Sequence, residues 1–532
     1  MPEVGTNGAT VRLAELVALL SLGTDLGLGQ PMEHMIRACL IALRLADSAA
    51  LEDSERGVVY YSGLLAWVGC HTDAYEQAKW LGDDLAAKQD AHYGYDFGKA
   101  GPATAFMVKH LGGAGSPLLQ RARTGARFAG DGRRALAAMA LNHYLATDEL
   151  AASLGLSAQV RASLGQSYER WDGKGASGLR GDQIAISSRL INLADVVEVF
   201  RRTGGIDAAI AVARERSGTQ FDPDLVELFC RQAPLIFEDL DAADSWDLVI
   251  DAEPSLAAMI SGAELDDALA AIGEFAELKS PWLMGHARGV AELAAEAGQS
   301  LGLPHTEVRA LRRAAFVHDV GRLGVSNAIW DKPAALTRAE LERVRLHSYL
   351  TERMLSFSPG LAPLGSIAGQ HHERLDGSGY PRGLSGDAIG TAGRVLAAAD
   401  SYHALTHARP HRPLLPAADA AAELRAQVAA GKMDGAAVDA VLRAAGHRVR
   451  RRREWPAGLT AREVEVVRLL ALGLTAKAIA GQLVISPKTA SNHIEHIYAK
   501  TGVSNRAQLS LFAMRHALMA DPDPSHLGEK IG

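Results

Sequence analysis

Seven side chains between positions 286 and 400 are of the types that hold metal ions: His286, the pair His318-Asp319, His347, the pair His371-His372, and Asp400. Successive clusters lie 24 to 32 residues apart, the length of one helix plus its connection, so the spacing predicts that each comes from a different helix. Helical phase predicts that they converge. His318 continues the apolar stripe of Leu311, Ala314 and Ala315, His286 precedes Val290 by one turn, and Asp400 follows Leu396 by one turn. A buried carboxylate among buried imidazoles is costly unless it is paired or ligated, and a divalent cation is the usual compensation. One His on an apolar face is ordinarily a hydrogen-bonded core residue; five His and two Asp phased toward one interior point speak for a metal centre. A carboxylate such as Asp319 can bridge two cations about 3.5–4 Å apart, an arrangement suited to in-line attack on a phosphodiester.

The elements that must position these groups occur twice. The stretch from Gln166, QSYERWDGKGASGLRGDQI, repeats from Gln370 as QHHERLDGSGYPRGLSGDAI with one inserted residue. Arg189/Asp195 correspond to Arg394/Asp400, His143 to His347, and His34 to His286. The first copy has Ala66-Trp67 where the second has His318-Asp319, and Ser167-Tyr168 where the second has His371-His372. His34, His143 and Asp195 remain as a weak set, which reads as a structural or sensory relic. His71 and Asp73 read as a surface loop, and Trp171-Asp172-Gly173 as a turn kept for folding.

With 532 residues the chain exceeds one core, and domain sizes of about 100–200 residues suggest roughly three units. Hydrophobic residues at 48% and charged residues at 22% exclude the composition of a disordered chain. Apolar residues recur at three- and four-residue spacing and few segments alternate, so the fold class is all-α. Cys39, Cys70 and Cys230 form no CxxC and no even framework, which excludes a disulfide scaffold and predicts a reducing compartment. Neither a basic-then-apolar leader nor a run of about 18 apolar residues occurs, predicting a cytoplasmic protein without a membrane partner.

The net charge of -7 is unevenly distributed: Arg448 to Arg515 hold twelve Lys/Arg against four Glu, leaving about -15 for the rest. This basic end starts with HRVRRRREWP, residues 447–456, read as a linker. Thr460 and Glu463 form a capping box before Val464, Val467 and Leu470, Gly473 ends that helix, and Thr475 starts another. Ser486-Pro487 then opens a third helix whose inner face is Ala490, Ile494, Ile497 and Tyr498. Lys488, Ser491, Asn492, Glu495 and His496 point the other way, the pattern of a recognition helix in a major groove.

Two resemblances follow from these residues. FVHDVGRLGV resembles the HD signature of metal-dependent phosphohydrolases, and HHERLDGSGYPRGL resembles the defining stretch of their HD-GYP subfamily, with DSYHALTHARPHR similar to its last ligand segment. That resemblance implies hydrolysis of cyclic di-GMP at an iron or manganese centre with His286, His318, Asp319, His347, His371, His372 and Asp400 as ligands. It also implies Tyr380 near the substrate and Arg409 and Arg412 on its phosphates. Arg322 stands where a lysine usually touches the scissile phosphate, keeping the charge but not the geometry. Trp282 replaces the glutamate of trinuclear members, so two divalent ions are expected. The segment from Leu459 to Leu509 closely resembles the DNA-binding domain of LuxR-type regulators such as NarL and FixJ, which implies double-stranded DNA as a partner and a homodimer. The contacts it implies are Lys488, Thr489, Ser491, Asn492, His493 and Lys500.

The expected architecture is two tandem HD-like helical modules, 1–230 and 266–446, joined by an acidic connector at 231–265 and followed by a four-helix helix-turn-helix domain at 457–520. Three readings of the second module stand: a cyclic-dinucleotide phosphodiesterase (Asp319 and Arg322 catalytic) coupled to transcription, a nucleotide and metal sensor without turnover that shifts DNA binding, and a dimerisation scaffold.

Overall fold

The three- and four-residue periodicity does produce helix along nearly the whole chain. The computed structural model describes residues 10–113, 117–240, 244–254, 258–446 and 455–519. Among these, the strands form one antiparallel pair, with Val11 opposite Ile260 and Arg12 opposite Met259. No helix among the described residues is long and apolar enough to cross a membrane. The basic run at 447–454 lies outside the described residues.

The chain divides into two compact units, one holding residues 9–262 together with 323–328, the other holding 263–322 and 329 onward. In the first, helices Leu13–Gly27, His34–Ser48, Asp53–Leu65 and Ile186–Glu215 surround Leu16, Ile41, Tyr60 and Phe229, all fully buried. Each such side chain contributes about 1.5–3 kcal/mol by leaving water. Residues 231–262 of the expected connector are part of this unit. Helix Ser245–Asp251 buries Trp246 and Val249, and the Tyr60 hydroxyl donates to the Val249 carbonyl at 3.0 Å. Asp244, Asp247 and Asp251 face solvent along one side of it, so a count of acids hid an amphipathic helix.

In the second unit, helices His286–Ser300, His305–Val317, Arg338–Ser356 and Thr391–Thr406 carry or adjoin the expected ligands. Four short helices follow: Ala461–Ala471, Ala476–Gln482, Pro487–Thr501 and Arg506–Arg515. The capping box is present, with Glu463 accepting from the Thr460 amide at 2.7 Å and Thr460 Oγ1 accepting from the Glu463 amide at 3.2 Å. Ser486 Oγ accepts from the Thr489 amide at 3.1 Å, starting the recognition helix where serine-proline placed it.

The two copies share backbone devices. Helix His34–Ser48 starts from Glu33 in the left-handed region (φ 74°) and helix His286–Ser300 from Gly285 (φ 82°). A Cβ on Gly69 would overlap the His143 carbonyl oxygen, and one on Gly321 would overlap that of His347. These close approaches bring the chain after each 66–67 or 318–319 pair against the helix carrying the next histidine.

Candidate metal centre

The fold brings all seven expected ligands of the second unit into three overlapping groups: His286, His318 and Asp400; His318, Asp319 and His371; His347, His371 and His372. Asp319 is the hinge between them. Its Oδ2 lies 3.3 Å from His318 Nε2 and 3.7 Å from His286 Nε2, while its Oδ1 lies 3.4 Å from His347 Nε2 and 3.5 Å from His371 Nε2.

Backbone contacts fix which nitrogen each ring presents. Nδ1 of His318 donates to the Ala315 carbonyl (2.7 Å), that of His347 to Val344 (2.5 Å) and that of His371 to Ala368 (2.6 Å). A carbonyl only accepts, so each Nδ1 carries a hydrogen and each Nε2 faces inward, with its lone pair available whenever the ring is neutral. Nε2 of His347 and of His371 then face each other at 3.1 Å, an arrangement that calls for a positive charge between them. Three further buried atoms, His318 Nε2 and both Asp319 carboxylate oxygens, have no hydrogen-bond partner. This donor set fits divalent cations.

The electrostatics agree. Burial pushes the pKa of His286 and of His347 down to about 3 and holds His372 well below the usual range, so these rings are neutral and ready to ligate. Burial acts against charge on His318 too, but Asp319 and Asp400 raise its pKa to about 10, so its proton supplies positive charge that a cation would bring. Against the cost of burial, Arg322 and His318 hold the Asp319 carboxyl far below its ordinary range, and His286 and His318 do so for Asp400.

The cationic residues separate into two kinds. Arg322 Nε lies 2.7 Å from Asp319 Oδ2 and its guanidinium stacks 4.4 Å from the Trp330 ring. Arg409 donates to the Trp282 carbonyl at 2.8 Å, and burial together with the charge of Arg322 lowers its pKa to about 10. Arg412, by contrast, gives its guanidinium to the carbonyls of Ala404, Leu405, His407 and Pro413 at the end of helix Thr391–Thr406. Arg412 thus caps the end of this helix, where the last carbonyls have no partner within the helix itself. Tyr380 stacks on His372 with ring centroids 4.7 Å apart, and burial pushes its phenol up, so it stays a neutral donor.

Three contributors escaped the sequence reading. His403, one turn after Asp400, places Nδ1 2.9 Å from His286 Nδ1 and so orients that ring. Glu277 accepts from the Gly285 amide at 2.7 Å and from the Ala287 amide, pinning the start of the His286 helix. Trp330 lies edge-on to His347, centroids 5.4 Å apart, as well as against Arg322. His403 lies in the DSYHALTHARPHR stretch, which was its sole signal; Glu277 and Trp330 had none.

The corresponding place in the first unit is closed. His34 lies fully buried between Asp195 (2.9 Å) and Glu198 (2.5 Å), with the Tyr93 hydroxyl 2.8 Å from its Nε2. Despite burial, Glu198 and Asp195 raise the His34 pKa to about 10. His143 pairs with Asp73 at 3.1 Å through Nε2 and meets the Tyr168 hydroxyl at 2.8 Å through Nδ1. The Trp67 ring packs edge-on to Tyr168. His71 and Asp73 are therefore buried, not a surface loop; Asp73 is held inward by the imidazolium it neutralises.

On the recognition helix Lys488, Thr489 and Asn492 are exposed and Ser491 and His493 half-buried. Lys500 is engaged by Glu463 Oε2 at 2.7 Å and the Gly458 carbonyl at 3.2 Å, which ties down the cation expected on a phosphate.

Residues 271–437 match the family described as HD domain, and residues 457–513 match the bacterial regulatory proteins of the luxR family. Over 412 residues the chain is 33% identical to 3'3'-cGAMP-specific phosphodiesterase 3 of Vibrio cholerae, covering 76% of this chain and 89% of that one. Over 157 residues it is 41% identical to the cyclic di-GMP phosphodiesterase response regulator RpfG of Xanthomonas campestris pv. campestris, 29% of this chain and 40% of the relative. The crystal structure of a cyclic GMP-AMP specific phosphodiesterase from V. cholerae, V-cGAP3, superposes with a TM-score of 0.56 at 26% identity, covering 83% of this chain and 99% of that one.

Proposed function

Since the chain belongs to the metal-dependent HD-GYP phosphodiesterases of cyclic dinucleotides and carries a luxR-family domain, we propose that it hydrolyses a 3'3'-cyclic dinucleotide and couples occupancy of that site to DNA binding. The observation that carries this reading is the division of Asp319: one oxygen faces His286 and His318, the other faces His347 and His371. His286, His318 and Asp400 would hold one ion and His347, His371 and His372 a second, with Asp319 shared; iron or manganese suits this set. Such ions supply Lewis acidity toward a phosphodiester and lower the pKa of bound water.

The remaining work falls to the chain itself. Arg322 and Arg409 place two cations beside the carboxylates, and burial together with the charge of Arg322 makes that of Arg409 costly, a cost that an incoming phosphate relieves. Tyr380 offers a hydroxyl donor and an aromatic face beside His372. Of the two nucleotides named by the relatives, 3'3'-cGAMP is the first to test, because the relative sharing both modules is named for it, whereas the motif resemblance pointed to cyclic di-GMP. Coupling has a physical route: Gly285, which starts the His286 helix, abuts Met519 beyond the last helix of the DNA-binding domain.

The test is turnover by the full-length chain, purified anaerobically and loaded with iron or manganese. Conversion of 3'3'-cGAMP or cyclic di-GMP to linear product, abolished by chelator, is expected. If the metal-loaded chain leaves both nucleotides intact, hydrolysis is refuted. The tie between Arg322 and Asp319 would then favour a sensor, in which nucleotide shifts DNA affinity without being cleaved.

A further inference from the structure

Residues 323–328 directly follow Arg322 in the chain, yet they pack within the same compact unit as residues of the first module. What holds them there is one carboxylate. Asp84 is fully buried, accepts from Ser326 Oγ at 2.6 Å and from the Asn327 amide at 2.8 Å, and lies 3.5 Å from Lys88 Nζ. A buried carboxylate is tolerated only when its lone pairs are spoken for, and two of these donors come from a segment more than two hundred residues away.

The anchored segment leads straight to the metal centre. Asn327 is the first residue of helix Asn327–Trp330, whose last residue stacks on Arg322 and packs edge-on to His347. Arg322 in turn meets Asp319. Asp84 thus fixes one end of a four-residue helix, and the other end fixes the cation that stands where a lysine would touch the scissile phosphate. A lysine would need no such support; a planar guanidinium must be oriented to be useful.

We infer that Asp84 is a positioning residue for phosphodiester hydrolysis: through Ser326, Asn327 and Trp330 it sets the orientation of Arg322. The inference rests on the proposed hydrolysis for its kinetic part alone.

The experiment uses the full-length, metal-loaded chain and its variants Asp84→Ala, Asp84→Asn and Ser326→Ala, with Asp73→Ala as a comparator that removes a buried carboxylate of the same module without touching 323–328. A misdirected guanidinium should lower kcat on the order of ten- to a hundredfold in Asp84→Ala with KM within about twofold. Asp84→Asn keeps an oxygen acceptor and should recover most of that loss; Ser326→Ala, which removes one donor and does not threaten the fold, should show a loss of about threefold. Hydrogen exchange of the Asn327 to Trp330 amides should accelerate in Asp84→Ala and not in Asp73→Ala. Unchanged kcat in both Asp84→Ala and Ser326→Ala, or an equal fall in Asp73→Ala, overturns the positioning role. Unchanged exchange at 327–330 overturns the anchor, and does so even if the wild type cleaves no cyclic dinucleotide, an outcome that would refute the hydrolysis reading separately.

Discussion

In the first module His34 lies 2.9 Å from Asp195 and 2.5 Å from Glu198; in the second His286 lies 3.1 Å from Asp400 and 2.9 Å from His403. Asp195 and Asp400 correspond in the repeat, and Glu198 and His403 each stand three residues later. Both copies therefore bury a histidine against a carboxylate, and both must balance the charge. The first does so with a proton: Glu198, backed by Arg37 and Arg202, keeps His34 an imidazolium, while Tyr93, Trp67 and Tyr168 stand around the two histidines. The second turns four imidazoles toward Asp319, and of these His318 is held as an imidazolium while His286 and His347 are neutral. A histidine buried against a carboxylate needs its charge balanced whether or not a metal is held, and in the first copy a second carboxylate and a proton balance it.

The sharpest way to break this contrast is to remove the central carboxylate of each copy. Asp319→Ala should lose bound metal, measured by elemental analysis, and reduce turnover on the order of a thousandfold or more; Asp195→Ala should leave metal content unchanged. Stoichiometric metal in the Asp319 variant, or metal lost from the Asp195 variant, would reverse the assignment of the two centres.

Next in size is the ion pair of the first copy. Glu198→Ala strands a buried charge and should cost about 3–5 kcal/mol in the opening free energy of helix His34–Ser48, read by native-state hydrogen exchange. The pH dependence has a definite sign. The His34 pKa rises from 6.5 to about 10 on folding, so its contribution is fully present below pH 6.5 and disappears as pH rises through 10. Glu198 falls from 4.5 to about 2, so its contribution is present above pH 4.5 and lost as pH falls through 2. Asp25, raised from 3.8 to about 7 chiefly by burial, works against folding progressively up to pH 7 and adds no slope beyond it. Protection of this helix should therefore decline from pH 7 to about 8.5 in the wild type and stay flat over that window in His34→Ala, below the range in which Cys39, Tyr60 and Tyr93 ionise on opening; a flat wild-type profile there would mean that His34 is neutral.

A smaller effect is expected from the ring that orients His286. His403→Ala leaves every ligand in place and should weaken metal affinity about 10–100-fold, judged by competition with a chelator. The reciprocal experiment is to restore only the missing pair of the first copy, Ala66→His with Trp67→Asp. It should yield no metal site, since Tyr168 still stands where His372 is needed and His34 keeps its proton. Metal bound by that variant would show that the two centres differ by two residues alone.

The smallest change is at the DNA end. Lys488→Ala should lower the log–log salt slope of DNA binding by about 0.9, one phosphate contact. Lys500→Ala should change it less, because Glu463 already holds that ammonium.

These comparisons also mark where sequence reasoning was adequate. The convergence of the seven side chains could be read from residue type, spacing and helical phase, and the helix starts at Thr460 and Ser486 from local capping chemistry, because such signals are carried by the residues themselves. His403, Glu198 and Asp84 could not, since each acquires its role from a partner 100 or more residues distant that no periodicity specifies. The carbonyl contacts of Arg412 were illegible for a related reason: in sequence, a basic residue after Asp400 looks the same whether it meets a phosphate or the carbonyls of its own helix.

The glycines that let the chain approach the next histidine's helix carry a lesson about how such a duplicate can change over generations. At Gly69, as at Gly321, any side chain would collide with backbone, so mutation there is barred in both copies alike. The two copies differ at Ala66, Trp67 and Tyr168 against His318, Asp319 and His372, yet share the close crossing that presents these positions. Substitution tolerance measured across both copies should accordingly diverge at the ligand positions and coincide at these two glycines.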